Sequence, residues 1–254
     1  MTRNRRTAIR LNLFVLRMTR NWLRIATVIV GLYVTLPFAA PTLMKLGATG
    51  PAQVLYTLYS PMCHQFAFRS FFLYGEQPVY PRANTGTDLI PFETVVADLP
   101  QFAPTSMHPI GGPVGDLMAF TPGFQFTARD FVGNEQMGYK LTLCERDISI
   151  YIAIFIGALL YSIPTVRRHL RPVPIWLYVF VGLLPIGLDG FSQMLGYPPF
   201  NLWPPRETLP GFRVATGLVF GFMNAWLGLP YLELSMRDTR RQIERKLRRA
   251  EVEF

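Results

Sequence analysis

Cys63 and His64 stand side by side, and Cys144 is followed three residues later by Asp147. All four side chains are accepted zinc ligands, but they fall in two distant stretches that only a fold can bring together. Taken by themselves, the two cysteines admit three readings: a disulfide in an oxidising compartment, half of a metal site, or two buried thiols. A second group surrounds Asp189 and Gln193, which are four residues apart and so share one face of a helix. Asp189, Glu145 and Gln193 are the residues suited to proton transfer and substrate orientation, and Arg69, Arg146 and Arg213 are suited to holding an anionic group. Asp189 also has a plainer reading, as the partner of Arg213 or Arg146 in an ion pair that ties two helices together.

The chain that must position these residues has 254 residues, 50% hydrophobic and 16% charged, with 20 Phe and a net charge of +9. So few charges exclude an ordinary soluble domain, and so much apolar surface excludes disorder. The apolar run Ile25 to Leu46, broken by Pro37 and Pro41, is long enough to cross a bilayer. Pro41 directly after Ala39 and Ala40 is a poor cleavage context, so the run reads as a span and not as a signal peptide. Ile148 to Ile163, Ile175 to Leu195 and Val214 to Leu234 are three further spans, the first reaching full length only if it begins near Leu141.

Charge sets the direction. Residues 1–24 hold seven arginines and no acid, Arg167, Arg168 and Arg171 follow the second span, and the tail carries seven more bases from Arg237 to Arg249, so all three belong inside. Residues 76–140 hold seven acids against three bases and belong outside. These assignments agree only if Gln53 to Tyr74 does not cross. The expected fold is therefore an all-α integral membrane protein of the cell membrane with four transmembrane helices, a re-entrant or interfacial segment, a loop-rich external insertion, and both termini cytoplasmic.

Five regions follow: a basic amphipathic segment (1–24), the first span and re-entrant segment (25–75), a Pro/Gly-rich external cap (76–140), a three-helix membrane core (141–234) and a basic tail helix (235–254). The tail alternates charge as a solvated helix does and lacks stacking aromatics, which favours lipid head groups over nucleic acid as its partner. Tyr56, Tyr59, Phe66, Phe68, Phe71 and Phe72 suit a lipid-facing belt or a protein contact. With this topology every ionisable residue not needed as a cytoplasmic anchor falls at the outer side, where buried charge marks a functional site. Pro185, Gly187 and Gly190 suggest a helix opened around Asp189.

Four ordered motifs sharpen the reading. They are Pro61-Met62-Cys63-His64-Gln65 with Arg69-Ser70-Phe71-Phe72, Cys144-Glu145-Arg146-Asp147 ahead of Tyr151 and Gly157, Gly187-Leu188-Asp189-Gly190 with Gln193, and Arg213 with Thr216-Gly217 and Gly221. Together they resemble an uncharacterised prokaryotic membrane-protein family, domain of unknown function 2085, over roughly 51–75 and 141–228. The resemblance brings no activity with it. In that family the second motif usually reads Cys, any residue, Arg, Cys; here Asp147 replaces the second cysteine. Exchange of one zinc ligand for another suits a metal site better than a disulfide, so the resemblance implies zinc held by Cys63, His64, Cys144 and Asp147. The 76–140 insertion departs from the short loop that the resemblance implies, and suggests a partner or a lid.

Two functions fit. One is a metal-dependent enzyme acting on a lipid-borne or amphipathic substrate, with Asp189 or Glu145 as base. The other is a non-catalytic accessory subunit of a larger membrane complex, respiratory or photosynthetic, with the metal or a disulfide as a staple. No paired-histidine metalloprotease helix, phosphate-binding loop, Ser/His/Asp set or haem-attachment run is present to fix a reaction.

Overall fold

The computed structural model describes residues 3–197 and 199–252; positions 1–2 and 253–254 of the two basic terminal segments lie outside the described residues. Helix α1 (Arg3–Lys45) absorbs both the amino-terminal segment and the first span in one 43-residue rod. Residues 3–24 contain neither Gly nor Pro, so nothing stops the helix, and Leu16 packs on Ile243 and Leu247 near the far end of the last helix. Helix α2 (Thr49–Tyr59) has 11 residues, about 17 Å at the helical rise, too short to cross hydrocarbon. It leads through a 3₁₀ turn into strand β1 (Ser70–Leu73).

The insertion is short elements around an aromatic core: α3 (Phe92–Val96), the two-residue strands β2 (Met107–His108) and β3 (Gly112–Pro113), and α4 (Pro122–Asp130). Thr121 caps α4 by accepting from the Phe124 N–H, and Pro122 follows in the first turn, where a missing N–H costs nothing. Strands β4 (Gly133–Asn134) and β5 (Gly138–Cys144) complete an antiparallel sheet in the order β1-β5-β4, with Ser70 opposite Cys144.

The sheet corrects the all-α expectation. Tyr139, Leu141 and Leu143 alternate with Lys140 and Thr142, a period-two pattern, so the second expected span cannot begin near Leu141. The aromatic belt is corrected too. Tyr56, Tyr59, Phe66, Phe68 and Phe72 are buried, and Phe66, Phe68 and Phe72 join Tyr80, Phe92, Phe102, Phe124 and Phe131 in the core of the cap. Arg82 is sealed in that core, paired with Glu93 at 2.8 Å and donating to the carbonyls of Leu117 and Met118.

Helix α5 (Glu145–Tyr161) follows β5 directly. After α6 (Pro164–His169), α7 (Ile175–Leu177) runs through a π-helical stretch at Tyr178–Leu183 into α8 (Leu184–Gly196), and α9 (Pro210–Arg249) ends the chain. The widened stretch sits immediately before Pro185, which lacks a backbone donor. The irregularity thus ends six residues before Asp189, and the expected opening around Asp189 is absent: α8 is continuous there. Among the described residues three helical stretches are long and apolar enough to cross a membrane: α1, Ile175–Gly196 and α9. The fourth expected span is α5, whose 17 residues extend about 25 Å.

Helices α5 and α9 approach until their backbones touch. A Cβ on Gly221 would lie 2.3 Å from the Ile150 carbonyl oxygen, one on Gly217 2.7 Å from that of Arg146, and one on Gly157 2.5 Å from the Ala225 Cβ. Small residues at four-residue spacing are how helices pack closely where lipid offers no hydrophobic driving force. At the opposite end Glu233 accepts from Trp22 Nε1 (2.9 Å), Arg167 Nη2 (2.5 Å) and Arg237 Nε (2.7 Å), joining α1, α6 and α9. Replacing Gly221 by Leu is expected to force α5 and α9 apart and destabilise the protein by about 1–3 kcal/mol or more, with Gly221→Ala intermediate. Thermal unfolding in detergent measures this, and an unchanged midpoint for Gly221→Leu would refute the close contact.

Candidate metal centre and the arginine cleft

Cys63 lies in the turn after α2, and Cys144 ends β5 and caps α5. The turn is held by Gln65, whose Nε2 donates to the carbonyls of Tyr56 and Thr142, both at 2.9 Å. These bonds keep Gln65 at φ 56°, a left-handed conformation that a side-chain-bearing residue adopts only under constraint. The constraint aims its N–H at Cys63 Sγ (3.3 Å), and the Cys144 N–H donates to the same sulfur (3.2 Å). The two Sγ atoms are 2.9 Å apart, both cysteines are free and buried, and Asp147 stands one turn into α5. Ligand atoms of Cys63, Cys144 and Asp147 all lie within 4.8 Å of one another.

This donor set fits zinc: two cysteine sulfurs and one carboxylate. Two sulfurs on a tetrahedral zinc sit about 3.8 Å apart, so a shift of about 1 Å suffices. The hydrogen bond from the Cys63 thiol lowers Cys144 below its ordinary range against its burial, aided by Arg69 and Lys140, and the same bond raises Cys63. Behind them the wholly buried Lys140 donates to the carbonyls of Gln65 (2.7 Å) and Arg129 (2.5 Å), and burial lowers it to about 7.

His64 lies outside this group. It is exposed, stacks on Phe66 at 5.4 Å, and stands at the rim of a cleft of about 210 Å³. Arg69, Cys144, Arg146, Asp147, Gln193 and Arg213 line the same cleft. The residues singled out in the sequence thus converge, with Asp189 and Glu145 behind them. Asp189 is saturated: it pairs with Arg146 and with Arg206 (3.2 Å), and accepts from Thr208 (2.6 Å) and Gln193 (3.3 Å). Glu145 is the reverse, with neither carboxylate oxygen hydrogen-bonded among the described residues and Arg213 at 4.0 Å.

Sequence reasoning missed Tyr197, Arg206, Glu207 and Thr208, which line the loop from α8 to α9. Glu207 is central: Arg69 grips it with Nη2 (2.6 Å) and Nε (3.1 Å), Arg213 bonds its other face, and Tyr197 donates at 2.6 Å. Burial alone would raise Glu207, but Arg69 and Arg213 overcome it and hold the carboxyl down to about 2. The alternation of Arg and Glu across 206 and 207 was the available signal, masked because charges in loops are common.

The four motifs and the helices that carry them can now be set against known proteins. Residues 135–227 match the family described as Predicted membrane protein (DUF2085). The DUF2085 match takes in Cys144, Glu145, Arg146, Asp147, Asp189, Gln193 and Arg213, whereas Cys63, His64 and Arg69 precede it. An uncharacterized protein of Methanocaldococcus jannaschii is 27% identical over 93 residues, 37% of this chain and 54% of that protein. The chain therefore spans about half the length of the curated relative it matches. No solved structure matches.

Because Glu207 is lowered from an ordinary 4.5 to about 2, its stabilisation is complete above pH 4.5 and is lost as the pH falls toward 2. Glu207→Gln is expected to cost about 3–5 kcal/mol at neutral pH, since it leaves Arg69 and Arg213 uncompensated, and to flatten that acid limb. Unfolding curves from pH 7 to 3 test it, and identical pH profiles for the two proteins would overturn the assignment.

Proposed function

We propose that this multi-pass membrane protein binds zinc through Cys63, Cys144 and Asp147 and acts on the head group of an anionic amphiphile at the outer face of the cell membrane. The observation that carries the reading is the meeting of those three donors, two of which, Cys144 and Asp147, line a cleft together with Arg69, Arg146 and Arg213. Three protein ligands leave a tetrahedral zinc one position for water or substrate, the pattern of catalytic sites. When bound, the ion supplies Lewis acidity for a carbonyl or phosphoryl oxygen and acidifies a bound water.

The chain's own residues divide the remaining work. Arg69, Arg146 and Arg213 orient the anionic group and exclude competing cations. Glu145, whose oxygens have no hydrogen-bond donors among the described residues, is the carboxylate able to take up a proton. Asp189, held by four partners, is a positioning residue that aims Arg146, with Gln193 bridging it to Arg213. His64 at the rim serves as a substrate contact or as a fourth ligand, and the two roles separate on metal content.

The topology belongs to the same proposal: α5 as a fourth crossing element, the cap outside, both basic ends inside, with anionic lipids as their partner. The accessory-subunit reading keeps one supporting feature, the tip of the β2–β3 hairpin, where Met107 and Ile110 are exposed. Such residues suit contact with a second protein of a membrane complex.

Elemental analysis of detergent-purified protein, with thiol titration after chelation, tests the centre. About one zinc per chain is expected, lost in Cys63→Ser and Cys144→Ser and retained in His64→Ala. Loss in His64→Ala would close the coordination sphere and make the site structural. Absence of both metal and free thiols would mean a Cys63–Cys144 bridge and would end the enzyme reading.

A further inference from the structure

Beyond the cleft, the wall formed by Asp189 has a second side. There α8 and the start of α9 enclose a groove of about 550 Å³, with Pro185, Leu188, Leu209 and Phe212 along its apolar length and Arg206 and Ser192 at its polar end beside Asp189 and Glu207, both already held in ion pairs. Leu188 is 62% exposed and Phe212 49%, on helical stretches long and apolar enough to lie in hydrocarbon. Exposed Phe200, Leu202 and Trp203 follow the end of α8, the residue types that mark a membrane interface. Trp203 is fixed there by its Nε1 bond to the Ser192 carbonyl (2.9 Å). The polar end of the groove is thus at head-group depth and the apolar part at acyl depth.

Arg206 differs from the other arginines of the network. Its side chain is 46% exposed, against 22% for Arg69 and Arg146 and 5% for Arg213. Only its Nη2 is engaged, with Asp189 and Ser192; among the described residues its Nε and Nη1 have no partner.

We propose that this groove binds an anionic phospholipid of the outer leaflet, its phosphate accepting from the unpartnered Nη1 of Arg206 and an acyl chain along Leu188, Leu209 and Phe212. A phosphate monoanion there accepts a charge-assisted hydrogen bond from a single N–H of the cation. The apolar half, open toward hydrocarbon, selects a lipid-borne phosphate over a free one. The site needs no metal, so it stands apart from the proposed zinc centre; if both hold, it names the substrate class, since Asp189 is shared between the groove and Arg146 of the cleft.

The test is native mass spectrometry of the full chain in detergent, titrated with phosphatidylglycerol or phosphatidylcholine and with inorganic phosphate as competitor. Phosphatidylglycerol is expected to bind more tightly than phosphatidylcholine, to lose about tenfold in affinity in Arg206→Gln, the loss of a charge-assisted contact, and to keep most of it in Arg206→Lys. Leu188→Asn, at an exposed position, is expected to weaken it as well, while inorganic phosphate does not displace it. Cys144→Ser is expected to lose zinc yet keep the lipid, so failure of one proposal is not failure of the other. Undiminished phosphatidylglycerol binding in Arg206→Gln would overturn the site. Displacement by inorganic phosphate would overturn its lipid character.

Discussion

The contact between α5 and α9 is the constraint on which the rest depends. Gly217 and Gly221 remove the side chains that would hold the two backbones apart, and the distance they permit sets everything at the end where α5 begins. Arg213 lies one turn before Gly217, so the closeness of the helices brings its guanidinium over the first turn of α5, beside Glu145. The same turn starts where β5 ends, which fixes Cys144, Arg146 and Asp147 within one helical turn of the sheet. Strand pairing then does the remaining positioning: Ser70 opposite Cys144 places the chain leaving Cys63 and Arg69 against the same edge. A helix pair and a strand pair meeting at one residue thus close a site whose members are far apart in sequence.

Such a site concentrates charge where it is costly. Taking an ion pair out of water is seldom stabilising in itself, whereas leaving one member alone is strongly unfavourable. The network answers this by sharing: Glu207 serves Arg69, Arg213 and Tyr197 at once, and Asp189 serves Arg146, Arg206, Thr208 and Gln193. Each carboxylate joins elements that apolar packing alone would leave free to slide, Glu207 binding the post-α2 turn to α9 and Asp189 binding α5 to α8. Apolar contacts between helices carry little register information in lipid, so directional bonds are the means of fixing it.

What the sequence disclosed follows the same physics. Asp189, Gln193, Arg146 and Arg213 stood out because polar groups inside apolar runs are anomalous, and an anomaly is readable without an alignment. Glu207 and Arg206 were equally important and invisible, because a charge in a Pro-rich loop is ordinary. Cys63, Cys144 and Asp147 were readable as ligand types, but their convergence depended on the sheet, and the sheet was overlooked because Leu141 and Leu143 also suit the start of a span. The aromatic residues misled for a related reason: hydropathy cannot tell a Phe that faces lipid from one that fills a protein core, and the cap's own core claimed Phe66, Phe68 and Phe72. Likewise the first 24 residues read as an amphipathic surface helix until Ile243 and Leu247 supplied a partner for Leu16.

The division between Asp189 and Glu145 shows how far geometry can narrow chemistry. Both were candidates for the base, and both are buried carboxylates on helices. Four bonds on Asp189 occupy its lone pairs, so a further partner arriving there must displace an arginine or a hydroxyl. Glu145 has an arginine 4.0 Å away and no hydrogen-bond donor among the described residues, so gaining or losing a proton disrupts no bond of its own. A carboxylate left in that condition inside a protein is expensive, and under the proposed function its burial serves proton movement. The reading of this centre therefore turns on Glu145, with Asp189 as the residue that keeps Arg146 and Arg206 aimed to either side of their common wall.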